Sequence, residues 1–159
     1  MPQSLLLAAL AVAGSPAEQP QQVIVVTADN WGSQHAQLRR YRRQAHEWKR
    51  VGRAVPAWLG VNGLAPASTR KQNTGTTPAG VFGLPEVFGR VTHSGISMPY
   101  RRITASSYWP YDPRDPRTYN VLQDRRVKAA RWRADGQWSE HLVDYGRQYR
   151  LAVVIGYNL

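Results

Sequence analysis

Cysteine is missing from all 159 residues, and that one absence removes disulfides, thiolate metal sites and thiol nucleophiles together. Acids are scarce, with 10 Asp and Glu against 21 Lys and Arg, which leaves a formal charge of +11. Paired-carboxylate chemistry must draw on those few acids, and the surplus of cations favours polyanionic partners such as nucleic acid, anionic lipid or anionic cell wall. Lysine is confined to Lys49, Lys71 and Lys128, so the positive charge is almost entirely guanidinium. No apolar run approaches the roughly 20 residues of a membrane-spanning helix, and no transmembrane span is expected.

What is present suffices for one domain with a core: 42% of residues are hydrophobic, including six Trp and eight Tyr. Burial of that surface can offset the entropy of ordering the chain. The first apolar run, Leu5 to Ala13, is followed by small residues and then by the polar stretch Ser15 to Gln22. It has the length of a signal-peptide core, and Ala11-Val12-Ala13 has a small-x-small cleavage pattern, although Met1 to Ser4 carries no basic residue. Residues 1–21 are read as a leader and short linker, residues 22–159 as the body, and the location as secreted or cell envelope.

Punctuation in the body is of the β type. Val23 to Thr27 is a β-branched run and Ala28 to Ser33 a turn cluster. Residues 37–51 are expected to form a hairpin with Trp48 and Val51 on a buried side; a short helix over 35–50 is the alternative. Residues 60–80 have loop composition and end in Val81-Phe82-Gly83-Leu84. Four prolines between residues 98 and 120 disfavour a central strand and suggest an irregular, aromatic-pinned excursion. Trp138 to Asp144 fits one or two helical turns with Ser139 as N-cap. Arg150 to Tyr157 reads as a strand buried on both faces in the middle of a sheet.

Tests for chemistry are largely negative. His35 and His46 flank the basic hairpin, His93 sits in a turn, and His141 lies beside Glu140; none has a thiol or hydroxyl partner, and no two have the spacing of a zinc pair on a helix. Asp112 with Asp115, and Glu140 with Asp144, are acid pairs at spacings that arise often by chance. Thr74 to Gly80 imitates a phosphate loop without the Lys-Ser or Lys-Thr and the helix that should follow. The stretch Leu38 to Arg53 could hold nucleic acid if its rings were exposed beside its arginines, but a buried hairpin face would hide them.

Several stretches, taken in order, resemble the L,D-transpeptidases of the YkuD type, in particular the secreted subgroup in Arg-rich actinobacterial proteomes. Gln22 to Thr27 is similar to their opening strand, and Pro56 to Gly60 with Asn62-Gly63 to the next core strand and turn. Thr77, Pro78, Gly80 and Phe82 match the Thr-Pro-x-Gly-x-Phe signature, in which Pro would fix entry to a turn, Gly accept a conformation other residues resist, and Phe begin the next buried strand. Tyr108-Trp109, Tyr119-Asn120 and Tyr149 to Asn158 are similar to the later part of the domain.

The resemblance implies a mainly β fold, a β-sandwich or barrel-like sheet with one or two short helices. In the complete family a Cys thiolate attacks the peptide bond after meso-diaminopimelate in a peptidoglycan stem, a His takes its proton, and a second stem's amine resolves the thioester. Those residues lie downstream of the Tyr-Asn strand, so the expectation here is a domain whose C-terminal strands are missing, with no catalytic residue, metal or cofactor to carry over. Tyr157 and Asn158 are placed at the cleft rim as candidate substrate contacts. The expected partner is peptidoglycan or another anionic cell-wall polymer, with self-association through an unpaired edge strand. A non-catalytic wall-binding module and a β-domain that binds nucleic acid are the competing readings.

Overall fold

The computed structural model describes residues 20–91, 95–127, 132 and 137–157. The leader-like segment up to residue 19, His93 and Asn158 lie outside the described residues. The fold is mainly β, as expected, with 43% strand and 6% helix. Among the described residues the strands form four small sheets, and no barrel closes. The chain divides into two compact units, one ending at Leu84 and one beginning at Pro85.

In the first unit β1 (Gln22–Thr27), β2 (His35–Gln44) and β3 (Glu47–Trp58) form an antiparallel meander. The β-branched run makes β1, and Ala28 to Gln34 turns the chain, with Asn30 Oδ1 accepting the Gly32 N–H at 3.0 Å. The hairpin over 37–51 is present and the helical alternative is not. Its buried side differs from expectation, because Trp48 and Val51 are exposed at 43% and 37% and Trp58 at 77%. At the tip Gln44 faces Glu47 across the two-residue loop Ala45-His46, and Ala45 takes a φ of 54°. A Cβ makes that left-handed conformation costly, by about 1–2 kcal/mol, while glycine pays back part of the gain in chain entropy. Ala45→Gly is therefore expected to stabilise the first unit by about 0.5–1 kcal/mol, read as a shift of its urea midpoint at unchanged slope.

The region expected to be all loop, 60–80, contains a parallel pair, β4 (Leu64–Pro66) with β5 (Thr77–Ala79). Three-residue strands are too short to show a sequence period, which is why composition alone suggested a loop. No strand follows at Val81 to Leu84; Val81 is 81% exposed, and the next strand starts at Val87.

The second unit holds two three-stranded sheets. One is ordered β10 (Ser139–His141), β8 (Ser107–Pro110), β9 (Gln123–Asp124); the other is β11 (Leu151–Val153), β6 (Val87–Gly89), β7 (Tyr100–Arg102). The proline-rich stretch thus supplies β7 and even a central strand, β8. Pro110 closes β8 and is buried there, where its carbonyl accepts the Asn120 N–H at 2.9 Å and its missing donor falls at the strand end. The rest of that stretch is aromatic-pinned as expected. Tyr111 donates to the Gln137 carbonyl at 3.2 Å, Arg114 lies 5.1 Å over Trp138, and Trp109 Nε1 donates to Asn120 Oδ1 at 3.3 Å.

Ser139 is not an N-cap. It belongs to β10, and the helical part begins only at Leu142, as a 3-10 turn to Tyr145 whose N-cap, His141, makes no side-chain cap bond. A second 3-10 turn spans Gln148–Arg150. Phe88, Ile103, Leu122, Leu142 and Val154 form the core, against which Trp109, Val143, Tyr149 and Ala152 pack.

The strand foreseen over 150–157 is shorter and differently placed. Among the described residues only Leu151–Val153 pairs, with β6, so there it is an edge strand rather than a central one. Leu151, Val153 and Ile155 face outward while Ala152 is half-buried and Val154 is buried, the two-residue alternation of a strand with one covered face.

Candidate functional site

Three acid–arginine turns account for several of the candidate acids in the second unit. Asp112 binds Arg114 through its backbone N–H and guanidinium at 2.7–3.0 Å, Asp115 accepts from the Arg117 N–H and the Thr118 hydroxyl at 3.3 and 3.0 Å, and Asp124 repeats the arrangement with Arg126. Each is an Asx turn reinforced by an arginine two residues on. Hydrogen bonds from the Arg126 side chain and backbone, and then from Ser106, hold the Asp124 carboxyl well below the usual carboxylate range. These carboxylates staple loops, Asp112 to Arg114 and Asp115 to Arg117.

His141 is also structural. Its ring stacks on Tyr108 at 4.5 Å, Nδ1 lies 3.0 Å from Asp144 Oδ2, and Nε2 lies 2.8 Å from the Ala105 carbonyl. The nitrogen that would take a nucleophile's proton is thus committed to a backbone oxygen. Its neighbour Glu140 accepts a hydrogen bond from the Tyr149 hydroxyl, and burial, then that bond, push the phenol above the usual tyrosine range. Among the described residues no three His, Asp or Glu converge as a metal site.

Charge is distributed differently in the first unit. From Gln22 to Trp58 the acids are Asp29 and Glu47 alone, against a dense run of arginines, and Glu47 pairs with Lys49. The register places Val23, Tyr41 and Arg50 side by side, Val25 beside Arg39, and Arg43 beside Trp48. Because side chains two apart on a strand share a face, all seven lie on one face of the meander. Lys49 and Glu47 lie on the other. Val23, Val25, Tyr41 and Trp48 line a shallow apolar concavity of about 340 Å³. Tyr41 is half-buried and Trp48 exposed; Arg39 donates to Thr27 Oγ1 at 2.8 Å, and Arg50 to the Gly52 carbonyl at 3.2 Å.

The chain matches no known protein family, no curated protein and no solved structure. The candidate site therefore stands on its own geometry. In the sequence the basic aromatic stretch reads as a hairpin whose rings are covered; the structure leaves Trp48 open. Alternation alone could not reveal this, since a hairpin that is wet on both sides has the same pattern as one that is wet on one.

The signature residues have definite but different work from that foreseen. Thr77 Oγ1 accepts the Gly60 N–H at 2.8 Å, and the Thr77 N–H donates to the Gly63 carbonyl at 2.9 Å. Pro78 stands inside β5 opposite Ala65 rather than at a turn entry. Gly80 has no left-handed φ; its small size is what matters, since a Cβ there would lie 2.9 Å from the Phe82 ring and 3.2 Å from Ala67. Phe82 covers that glycine and begins no strand. Tyr157 is half-buried just after the edge segment, its N–H bonded to the Ile155 carbonyl at 2.7 Å. Among the described residues no helix is long and apolar enough to cross a membrane.

Proposed function

We propose that this chain is a cell-envelope protein of the L,D-transpeptidase kind, carrying β scaffold of a peptidoglycan cross-linking domain without the residues of acyl transfer. The observation that carries the reading is the Thr77–Phe82 segment. Thr77 ties β5 back to Gly60, and the small size of Gly80 leaves room for the Phe82 ring, so the segment is packed locally although not in the geometry the resemblance implies. The mainly β fold and the leader-like start are consistent with it. With no Cys among these 159 residues, the thiol that forms the family's thioester is not among them.

The reading makes two predictions. Coding DNA downstream of the Leu159 codon, translated in all three frames, is expected to encode a His-bearing strand and then a Gly-Cys motif. The purified chain alone is expected to yield no cross-linked product from tetrapeptide stems, as followed by mass spectrometry. Cross-linking by this chain, or a downstream sequence lacking both features, would remove the assignment. A second reading, a non-catalytic module for an anionic wall polymer, is favoured by the arginine-rich face with an exposed tryptophan.

A further inference from the structure

Both faces of β1–β3 carry arginines, Arg40 and Arg42 beside Lys49 on one and Arg39, Arg43 and Arg50 on the other, and only the second alternates them with the rings of Tyr41 and Trp48 as a checkerboard. Tyr41 has Arg50 across the strand pair and Arg39 and Arg43 two positions away along its own strand; Trp48 has Arg43 across and Arg50 along. Cross-strand neighbours sit about 5 Å apart, and along-strand neighbours about 7 Å. Each ring thus has arginines as its cross-strand and along-strand neighbours on the same face. Among the described residues of the meander the acids are Asp29, in the turn after β1, and Glu47, which lies on the opposite face with Lys49.

We propose that this face binds an anionic glycan whose charges are phosphodiesters, with a sugar ring on Trp48 and phosphates on Arg39 and Arg50. The chemistry follows from the parts. Guanidinium forks match the paired oxygens of a phosphate. An aromatic face in a shallow apolar recess accepts the C–H face of a ring. Arg39 and Arg50 are each steadied by one hydrogen bond that leaves other donors for a ligand. Single-stranded nucleic acid would meet the same groups; the glycan is preferred because residues 5–13 read as an export signal. The inference rests on the envelope location in the proposed function, not on cross-linking.

The test uses the purified full chain with three probes: a phosphodiester-linked wall glycan, neutral dextran, and a (dT)20 oligonucleotide, each titrated at several salt concentrations. The glycan is expected to bind with affinity that falls as salt rises, and dextran not to bind. Trp48→Ala should weaken binding about 10-fold, with Trp48→Phe restoring most of it. The double variant Arg39→Gln, Arg50→Gln should flatten the salt dependence. Lys49→Gln, on the far face, should change affinity less than about 2-fold. No binding to the glycan, tighter binding to (dT)20, or an equal loss from Lys49→Gln would each overturn the site. Such a failure leaves the downstream-sequence test untouched, and a failure of that test leaves this binding result standing.

Discussion

Replacing Leu142 by alanine is expected to cost the second unit about 2–5 kcal/mol, enough to unfold a marginally stable domain. Leu142 is fully buried at the start of the first 3-10 turn and packs among Phe88, Ile103, Leu122 and Val154. These residues come from β6, from the segments after β7 and before β9, and from the segment after β11. A void at their meeting point cannot be refilled without moving several elements, so both the transfer and the cavity penalties are paid. Urea unfolding followed by tryptophan fluorescence measures the loss, since Trp109 packs against the same cluster. Leu151→Ala is the matched control: the same atoms are removed from an exposed position on edge strand β11, and the expected cost is below about 1 kcal/mol. Equal losses from the two variants would mean that Leu142 is not where the core converges.

The contrast between Leu142 and Leu151 also shows what was legible from residues alone. In 150–157 every position but Arg150, Gly156 and Tyr157 is aliphatic, so a strand covered on one face and a strand covered on both have the same pattern, and only pairing distinguishes them. The β-branched run of β1 and the turn after it were readable because local propensity and tertiary structure agree there. The strands β4, β5 and β7 were not, because three residues carry no period and their ladders are closed by residues distant in sequence. Prolines misled for a physical reason: Pro78 and Pro110 sit where a strand does not require their missing donor. For the candidate site, the arginines and rings of β2 and β3 were visible in order, but their common face depends on the register from Val23 through Tyr41 to Arg50. That register is a property of the three paired strands together.

Gly63→Ala is expected to destabilise the first unit by about 2–5 kcal/mol, although it adds a single methyl group. Two costs coincide. Gly63 has a φ of +74°, which an L side chain rarely adopts, and a Cβ there would lie 2.1 Å from the Trp31 carbonyl oxygen and 2.8 Å from Gly32 backbone atoms. Neither obstacle is the movable end of a side chain. The Trp31 carbonyl also accepts the Leu64 N–H at 2.7 Å, and the Gly63 carbonyl accepts the Thr77 N–H at 2.9 Å, so retreat of either segment breaks the bonds that start β4 and β5. The Asn-Gly step noted in the sequence is therefore the crossing point at which the turn after β1 meets the parallel pair. Faster hydrogen exchange at the Leu64 and Thr77 amides, with a lowered urea midpoint, is the expected signature. Gly83→Ala serves as the control, because a Cβ there meets nothing within 4 Å and should shift stability by less than about 0.5 kcal/mol. If Gly63→Ala proved equally silent, the turn and the Thr77 segment would not share this crossing, and the packing argued for the signature motif would fail with it.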